Sequence, residues 1–258
     1  MEFNLEKKRV LVTGSSRGIG FAIAKDFLSE GARVVIASRN QNELEQARTE
    51  LGNEFSADMV LAYPCDFRIT EQIRTLTSYI LQSWGGHDIL LANVGSGKSV
   101  TDTIPEKEHF DAVFSQNFDV AVNAARELMP LLKDSKGNML FISSIAGMEA
   151  FGAPVDYSVA KTAVISFAKN LARKVAKDGV RVNCISPGNV FFEGGNWDER
   201  IKTNPVQIKR LLETTVPMNR FGTPEEIADA AVFLCSERAA FITGSVLVID
   251  GGQTVGVF

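Results

Sequence analysis

Histidine is nearly absent: only His87 and His109 occur in 258 residues, 22 positions apart. No histidine-metal spacing can be built from them, so metal chemistry is not expected. Cysteine is scarce too. Cys65, Cys184 and Cys235 are odd in number, far apart and set in apolar segments, which points to buried free thiols and a reducing compartment. The opening MEFNLEKKRVL lacks the apolar region of about 7–15 residues that a secretory signal carries, and no apolar run approaches the ~18 residues of a membrane span. A soluble, cytoplasmic protein is the expectation. An excess of one charge sign is missing as well: 27 basic and 31 acidic residues are mixed along the chain for a net charge of −4. That leaves no basic stripe for nucleic acid and no polybasic anchor for a membrane.

What is present is an ordinary globular composition, 45% hydrophobic and 22% charged, in a length that α/β folds commonly run as one domain, here 1–258. Near-continuous apolar runs predict strands at Arg9–Thr13, Arg33–Ala37, Met59–Pro64, Ile89–Ala92, Asn138–Ser143, Val180–Ile185 and Val246–Ile249, each buried on both faces. Helical stretches fall between them, at Gly18–Glu30, Asn42–Leu51, Thr70–Trp84, within Glu106–Leu132, at Tyr157–Lys177 and at Pro224–Leu234. Such alternation implies a mostly parallel sheet with helices on both faces and a ligand edge at the strands' carboxyl ends. Residues 189–220 interrupt the alternation with paired glycines, aromatics and charges. A long irregular insertion of this kind reads as a mobile lid over that edge.

The stretch LVTGSSRGIG, residues 11–20, satisfies two motifs. Gly14-Ser15-Ser16-Arg17-Gly18 fits the G-x-S-x-G elbow of a hydrolase nucleophile. Gly14, Gly18 and Gly20 also make a TGxxxGxG turn able to hold a dinucleotide pyrophosphate at a helix N-terminus. A hydrolase needs an earlier strand for its oxyanion amides and a histidine late in the chain. Neither is present, so the dinucleotide reading is preferred. GSGKS at 95–99 is no P-loop, because the pattern's first glycine falls on Ala92.

Tyr157 and Lys161 are four residues apart, about 40° around a helix axis, so their side chains leave one face. From Tyr157 to Val175 apolar residues exceed the stripe of an ordinary surface helix. This helix is therefore expected against the sheet and something else. Ser144 precedes Tyr157 by thirteen residues, at the end of the fifth predicted strand. Its neighbour Ser143 is the alternative, but adjacent strand residues point to opposite faces and only one can serve. Asn117 lies in the preceding helical region.

TGSSRGIG, ANVG at 92–95, Asn117, ISS at 142–144, YSVAK at 157–161, NCISPG at 183–188 and ITGSVLVIDGG at 242–252 together resemble the short-chain dehydrogenase/reductase family. The likeness runs over essentially the whole chain and is nearest to the 3-oxoacyl-acyl-carrier-protein reductases. It implies a Rossmann-type doubly wound sheet and hydride transfer between a nicotinamide cofactor and a carbonyl or alcohol. On that basis Tyr157 is the proton donor, Ser144 bonds the reacting oxygen, Lys161 lowers the Tyr157 pKa, and Asn117 holds a water that connects Lys161 to solvent. The resemblance further implies cofactor contacts at Gly14, Ser16, Arg17, Gly18, Ile19, Gly20, Ser38, Arg39, Asp66, Phe67, Asn93, Val94, Gly95, Pro187, Gly188 and Val190, besides Tyr157 and Lys161.

NAD-preferring sites usually carry an acid about 20 residues beyond the glycines, bonding the ribose 2′-OH. Ser38 stands there, with Arg39 next and Arg17 inside the turn. Two guanidiniums favour a 2′-phosphate and so NADP(H). Asp66, with the Phe67 amide, resembles the family's adenine contact. Two departures stand out: Val94 enlarges the usual NNAG motif, and Phe192 occupies the place of a threonine that bonds the carboxamide. Phe191, Phe192 and Trp197 are candidates to line an apolar pocket. Arg200, Lys202, Lys209 and Arg210 either greet an acidic carrier or phosphate or form a solvated helix face. An oxidising dehydrogenase and a non-catalytic NADP(H)-binding sensor are the alternatives to a carbonyl reductase. Val159, Ala163 and Ile165 flank the Tyr157 helix, and with the resemblance they imply a homodimer or homotetramer.

Overall fold

The computed structural model describes residues 2–100 and 102–257. Seven strands, β1 (Arg9–Thr13), β2 (Arg33–Ser38), β3 (Val60–Pro64), β4 (Ile89–Ala92), β5 (Asn138–Ile142), β6 (Arg181–Pro187) and β7 (Val246–Ile249), form one sheet in the order β3-β2-β1-β4-β5-β6-β7. Every neighbouring pair is parallel. Nine helices are present among the described residues: α1 (Gly18–Ser29), α2 (Gln41–Glu54), α3 (Thr70–Trp84), α4 (Lys107–Phe114), α5 (Val120–Ser135), α6 (Val155–Val175), α7 (Asn196–Thr203), α8 (Pro205–Thr215) and α9 (Pro224–Cys235).

The two-residue period of the strands divides the core into two layers. Val10, Val12, Val34 and Ile36 face α1, α2 and α9, packing with Ile23, Phe27, Leu51 and Ile227. Leu11, Val35, Leu90 and Phe141 face the other way, onto α3, α5 and α6 through Ile73, Leu128, Val164 and Ala168. Cys65 and Cys184 belong to this second layer and Cys235 to the first; all three are buried free thiols, and burial pushes each pKa up to about 12.

β1 pairs with β2 on one side and β4 on the other, so the loops following β1 and β4 diverge and open a crevice at their carboxyl ends. That is the topological switch point of an open α/β sheet. The segment expected to be irregular instead contains α7 and α8. Asn204 ends one helix, and its side chain accepts from the Gln207 amide at 3.2 Å to cap the next, with Pro205 in the first turn. An Asn-Pro pair is a helix stop and start in two residues. No described helix is long and apolar enough to cross a membrane.

Candidate active site

The turn after β1 is built for close approach. Gly14 and Gly18 have φ of +66° and +59°, a region favouring glycine, and a Cβ on Gly20 would overlap the Gly14 carbonyl. The N-terminus of α1 has no side-chain cap and no acid in its first turn, leaving its amides free for an anion. Asn93 stitches the loop after β4 to this turn: its Nδ2 donates to the carbonyls of Thr13 and Gly14 at 3.1 and 3.0 Å. Thr13 Oγ1 accepts from the amides of Asn93 and Val94 at 3.0 and 3.2 Å, and Val94 packs beside Gly14. Ser15 is fully buried and donates to the Val12 carbonyl at 2.6 Å. Ser16, the nucleophile of the hydrolase motif, donates to Glu43 at 3.3 Å and has no histidine partner among the described residues. Ile19 follows Gly18 in the first turn of α1.

These features fit a dinucleotide, with the amides of Gly18, Ile19 and Gly20 at the phosphate end. At the ends of β2 and β3, Ser38 is nearly buried and its hydroxyl donates to the Asn40 carbonyl at 3.3 Å. Arg39 is exposed and makes no hydrogen bond or ion pair among the described residues. The Asp66 carboxylate is held by Arg68, which donates to it through Nε at 3.0 Å and Nη2 at 2.5 Å. That partner keeps the carboxyl below its ordinary range. Phe67 is buried, and its carbonyl accepts from Asn123 at 3.2 Å. At the end of β6, a Cβ on Gly188 would press on Asp250, while Pro187 closes the strand and Val190 bridges to Gly222.

Asn117 sits in a π-helical turn, Ser115–Asp119, between α4 and α5, inside the stretch Glu106–Leu132 where a helical region was expected. Its Nδ2 donates to the Val113 carbonyl at 2.9 Å, diverting the acceptor that an α-helical amide would use. The same side chain grips the loop after β4. Oδ1 accepts from the Ser96 amide at 3.0 Å and Nδ2 donates to the Ser96 carbonyl at 3.1 Å. A Cβ on Gly95 would lie 2.8 Å from both Asn117 Oδ1 and Lys161 Nζ, so only glycine lets these two groups flank the backbone.

The two serines follow the end of β5 at Ile142 and take different partners. Ser143 turns inward and donates to the Lys161 carbonyl at 2.8 Å. Ser144 lies on the Tyr157 side, its hydroxyl acting to lower the phenol's pKa and accepting from the Ala146 amide at 3.2 Å. Lys161 is 4% exposed, its Nζ donating to the Ile142 carbonyl at 3.1 Å and standing 5.8 Å from the Tyr157 ring centroid. Burial pushes Lys161 down to about 8. The Tyr157 pKa is raised, by burial of its phenol above all, with the Ser144 bond acting in the opposite direction. Lys161 is not among the groups that move it. Desolvation also disfavours the charged form of Lys161 itself.

Segment 189–220 reaches the glycine turn directly. Arg17 donates to the Gly194 carbonyl at 3.0 Å, and the Phe192 ring covers the Cα of Gly18, so that a Cβ there would be 2.8 Å from it. Phe191 and Trp197 pack on Phe221 at 6.0 and 5.2 Å between ring centroids. Three of the four basic candidates are engaged locally: Arg200 stacks on Trp197 at 4.3 Å, Lys202 pairs with Asp198 at 2.7 Å and Lys209 with Glu213 at 3.9 Å. With five basic and four acidic residues in 189–220, the segment is nearly neutral. A cavity of about 490 Å³ lined by Asp88, Asn138 and Arg181 lies at the opposite, amino-terminal edge of the sheet, away from Tyr157. Reading the sequence alone missed Thr13, Arg68 and Ser96, whose signal is only a polar residue next to a motif position.

The comparisons agree with this geometry. Residues 14–254 match a family model described as enoyl-(acyl carrier protein) reductase. A tropinone reductase homologue of Arabidopsis thaliana is 33% identical over 99% of this chain and 94% of its own. A 3-oxoacyl-[acyl-carrier-protein] reductase of Chlamydia muridarum is 33% identical over 96% of this chain and 98% of its own. Among solved structures, L-sorbose reductase of Gluconobacter frateurii, complexed with NADPH and L-sorbose, superposes with a TM-score of 0.92 at 33% identity, covering 99% of this chain and 100% of that one. With a parallel sheet, a glycine turn at its switch point and the Tyr157–Lys161 pair at its carboxyl edge, this chain belongs to the short-chain dehydrogenase/reductase family of oxidoreductases.

Proposed function

We propose that the protein is an NADPH-dependent carbonyl reductase acting on a small ketone, with Tyr157 as proton donor. One observation carries this reading: Tyr157 stands at the carboxyl edge of the sheet with the buried Lys161 beside it, Nζ lying 5.8 Å from its ring centroid. A phenol beside an ammonium can give its proton to a carbonyl oxygen as hydride arrives at the carbon, because the neighbouring charge stabilises the phenolate left behind.

The glycine turn Gly14–Gly20 and the N-terminus of α1 would hold a nicotinamide dinucleotide, which when bound would supply the hydride for the carbonyl carbon. Ser144 and Tyr157 hydrogen-bond the carbonyl oxygen and orient it, and Tyr157 transfers its proton as negative charge develops there. Lys161 then offsets the phenolate with its ammonium. Asn117 holds the Ser96 backbone in place, which fixes the wall beside Lys161.

NADP(H) over NAD(H) is proposed from Arg39, exposed with no acid in place of Ser38. The local pairing of the basic residues in 189–220 supports a small free ketone over a carrier-bound one. That segment is proposed as a lid, since Arg17 and Phe192 join it to the glycine turn. The test is NADPH oxidation with a panel of polyhydroxy ketones, cyclic ketones and 3-oxoacyl thioesters. Turnover of a free ketone is the expected result; cofactor binding without turnover of any substrate in either direction would make the protein a sensor.

A further inference from the structure

Asp156, immediately before Tyr157, is fully buried and has no part in the reaction above. Its Oδ1 accepts from the Tyr157 amide at 2.7 Å, and its Oδ2 accepts from the Ser99 hydroxyl at 2.6 Å. His109 Nε2 lies 3.1 Å from Ser99 Oγ and 3.5 Å from Asp156 Oδ2. Ser99 has committed its one proton to the carboxylate, so its oxygen accepts from His109, and Nε2 carries the hydrogen. This order excludes a nucleophilic triad, in which serine would donate to histidine and histidine to the acid. Three elements meet instead: the loop after β4, α4 and the first turn of α6.

Residues 96–99 are thereby held at both ends. Ser96 is gripped by Asn117, Ser99 by Asp156 and His109, and the Lys98 amide donates to Ser96 Oγ at 3.2 Å. Between the anchors, a Cβ on Gly97 would lie 3.9 Å from Cζ of Tyr157. Lys98 also pairs with Glu199 of α7 at 2.8 Å. The loop is thus the wall facing the proton donor, and its far anchor is the Ser99 cluster.

We propose that Ser99, His109 and Asp156 are positioning residues which set the distance of the 96–99 wall from Tyr157 and so govern ketone affinity. In kinetic terms the proposal rests on the carbonyl-reductase reading, and its test therefore includes a measurement needing no substrate. Hydrogen exchange of the Ser96 and Lys98 amides is compared in the full-length protein and in His109→Phe, His109→Gln and Ser99→Ala, alongside KM and kcat for a ketone. Faster exchange, on the order of tenfold, is expected in His109→Phe and Ser99→Ala. KM should rise on the order of tenfold with kcat within about twofold. His109→Gln, whose amide keeps a donor in reach, should restore both. Unchanged loop exchange in His109→Phe and Ser99→Ala overturns the proposal, as does a fall in kcat at constant KM. If no ketone is reduced even by the wild type, the enzymatic reading fails and exchange alone decides the network.

Discussion

Arg17 donates a 3.0 Å hydrogen bond to the carbonyl of Gly194, tying the glycine turn to the segment that leads into α7. The guanidinium expected to meet a cofactor phosphate therefore spends at least one of its donors on the chain itself. Arg39 has no such commitment among the described residues.

Arg39→Asp is expected to weaken NADPH by about 10–100-fold while changing NADH little, the loss of a charged hydrogen bond being worth roughly 1.5–3 kcal/mol. Arg17→Ala is expected to weaken the two cofactors more evenly, because it also releases the Gly194 contact. Dissociation constants from quenching of protein fluorescence check both; equal losses in Arg39→Asp would place that side chain elsewhere.

Tyr157→Phe removes the phenolic proton and almost no volume. Turnover should fall by about 10²–10⁴, with NADPH affinity within a few-fold. Single-turnover reduction of a ketone is the measurement, and retention of more than about a tenth of the rate would transfer the acid role to another group.

Lys161 makes function and stability oppose each other. Its folded pKa is about 8 against an ordinary 10.5, so between these values the unfolded chain binds a proton that the folded one lacks, and stability rises with pH across that window. Below 8 the penalty is present in full, on the order of 3 kcal/mol. Lys161→Met should therefore raise the unfolding midpoint at pH 7 while abolishing turnover. A lower midpoint in urea would show that the bond to the Ile142 carbonyl outweighs desolvation.

His87 sets part of the acid limit. Neither of its ring nitrogens has a partner among the described residues, and burial pushes its pKa from 6.5 down to about 3. The unfolded chain takes up this proton first, so stability present above about pH 6.5 is lost as pH falls toward 3, with a slope of at most ~1.4 kcal/mol per pH unit. His87→Leu should flatten that limb in urea titrations at successive pH values.

One face of α6 is bare in the single chain: Val155 and Val159 are each 43% exposed, and Ala163 and Ile165 are half-buried. A symmetric dimer or tetramer through this helix is expected. Sedimentation equilibrium at micromolar concentration should show it, with Val159→Glu or Ile165→Glu driving dissociation; a single 28.1 kDa species would reject it.

Strand positions were legible because burial on both faces writes an uninterrupted apolar run, as in ILLA of β4; VLVI of β7 carries the same run at the sheet edge, where it is only partly buried. The Tyr157–Lys161 pair was legible because helical spacing alone brings the two side chains to one face. The hold of Arg68 on Asp66 was two residues away and still unseen, since an acid beside a motif invites a ligand role before a neighbour's charge is counted. Contacts such as Arg17 to Gly194 or Ser99 to Asp156 lie 177 and 57 residues apart. No local periodicity encodes them. The helices of 189–220 were hidden because each buries a single residue, Asp198 in α7 and Ile208 in α8, and so writes no apolar stripe, although Asn204-Pro205 marks their junction.

The π turn at Ser115–Asp119 carries a consequence for how this protein changes by descent. Such a turn differs from α-helix by a single residue, and one residue is about 100° of rotation. The loss of one codon there would leave two well-formed helices and an intact cofactor cradle, yet swing the Asn117 amide away from Ser96. Ancestry could thus separate a catalyst from a mute dinucleotide binder by the smallest in-frame deletion a gene can suffer.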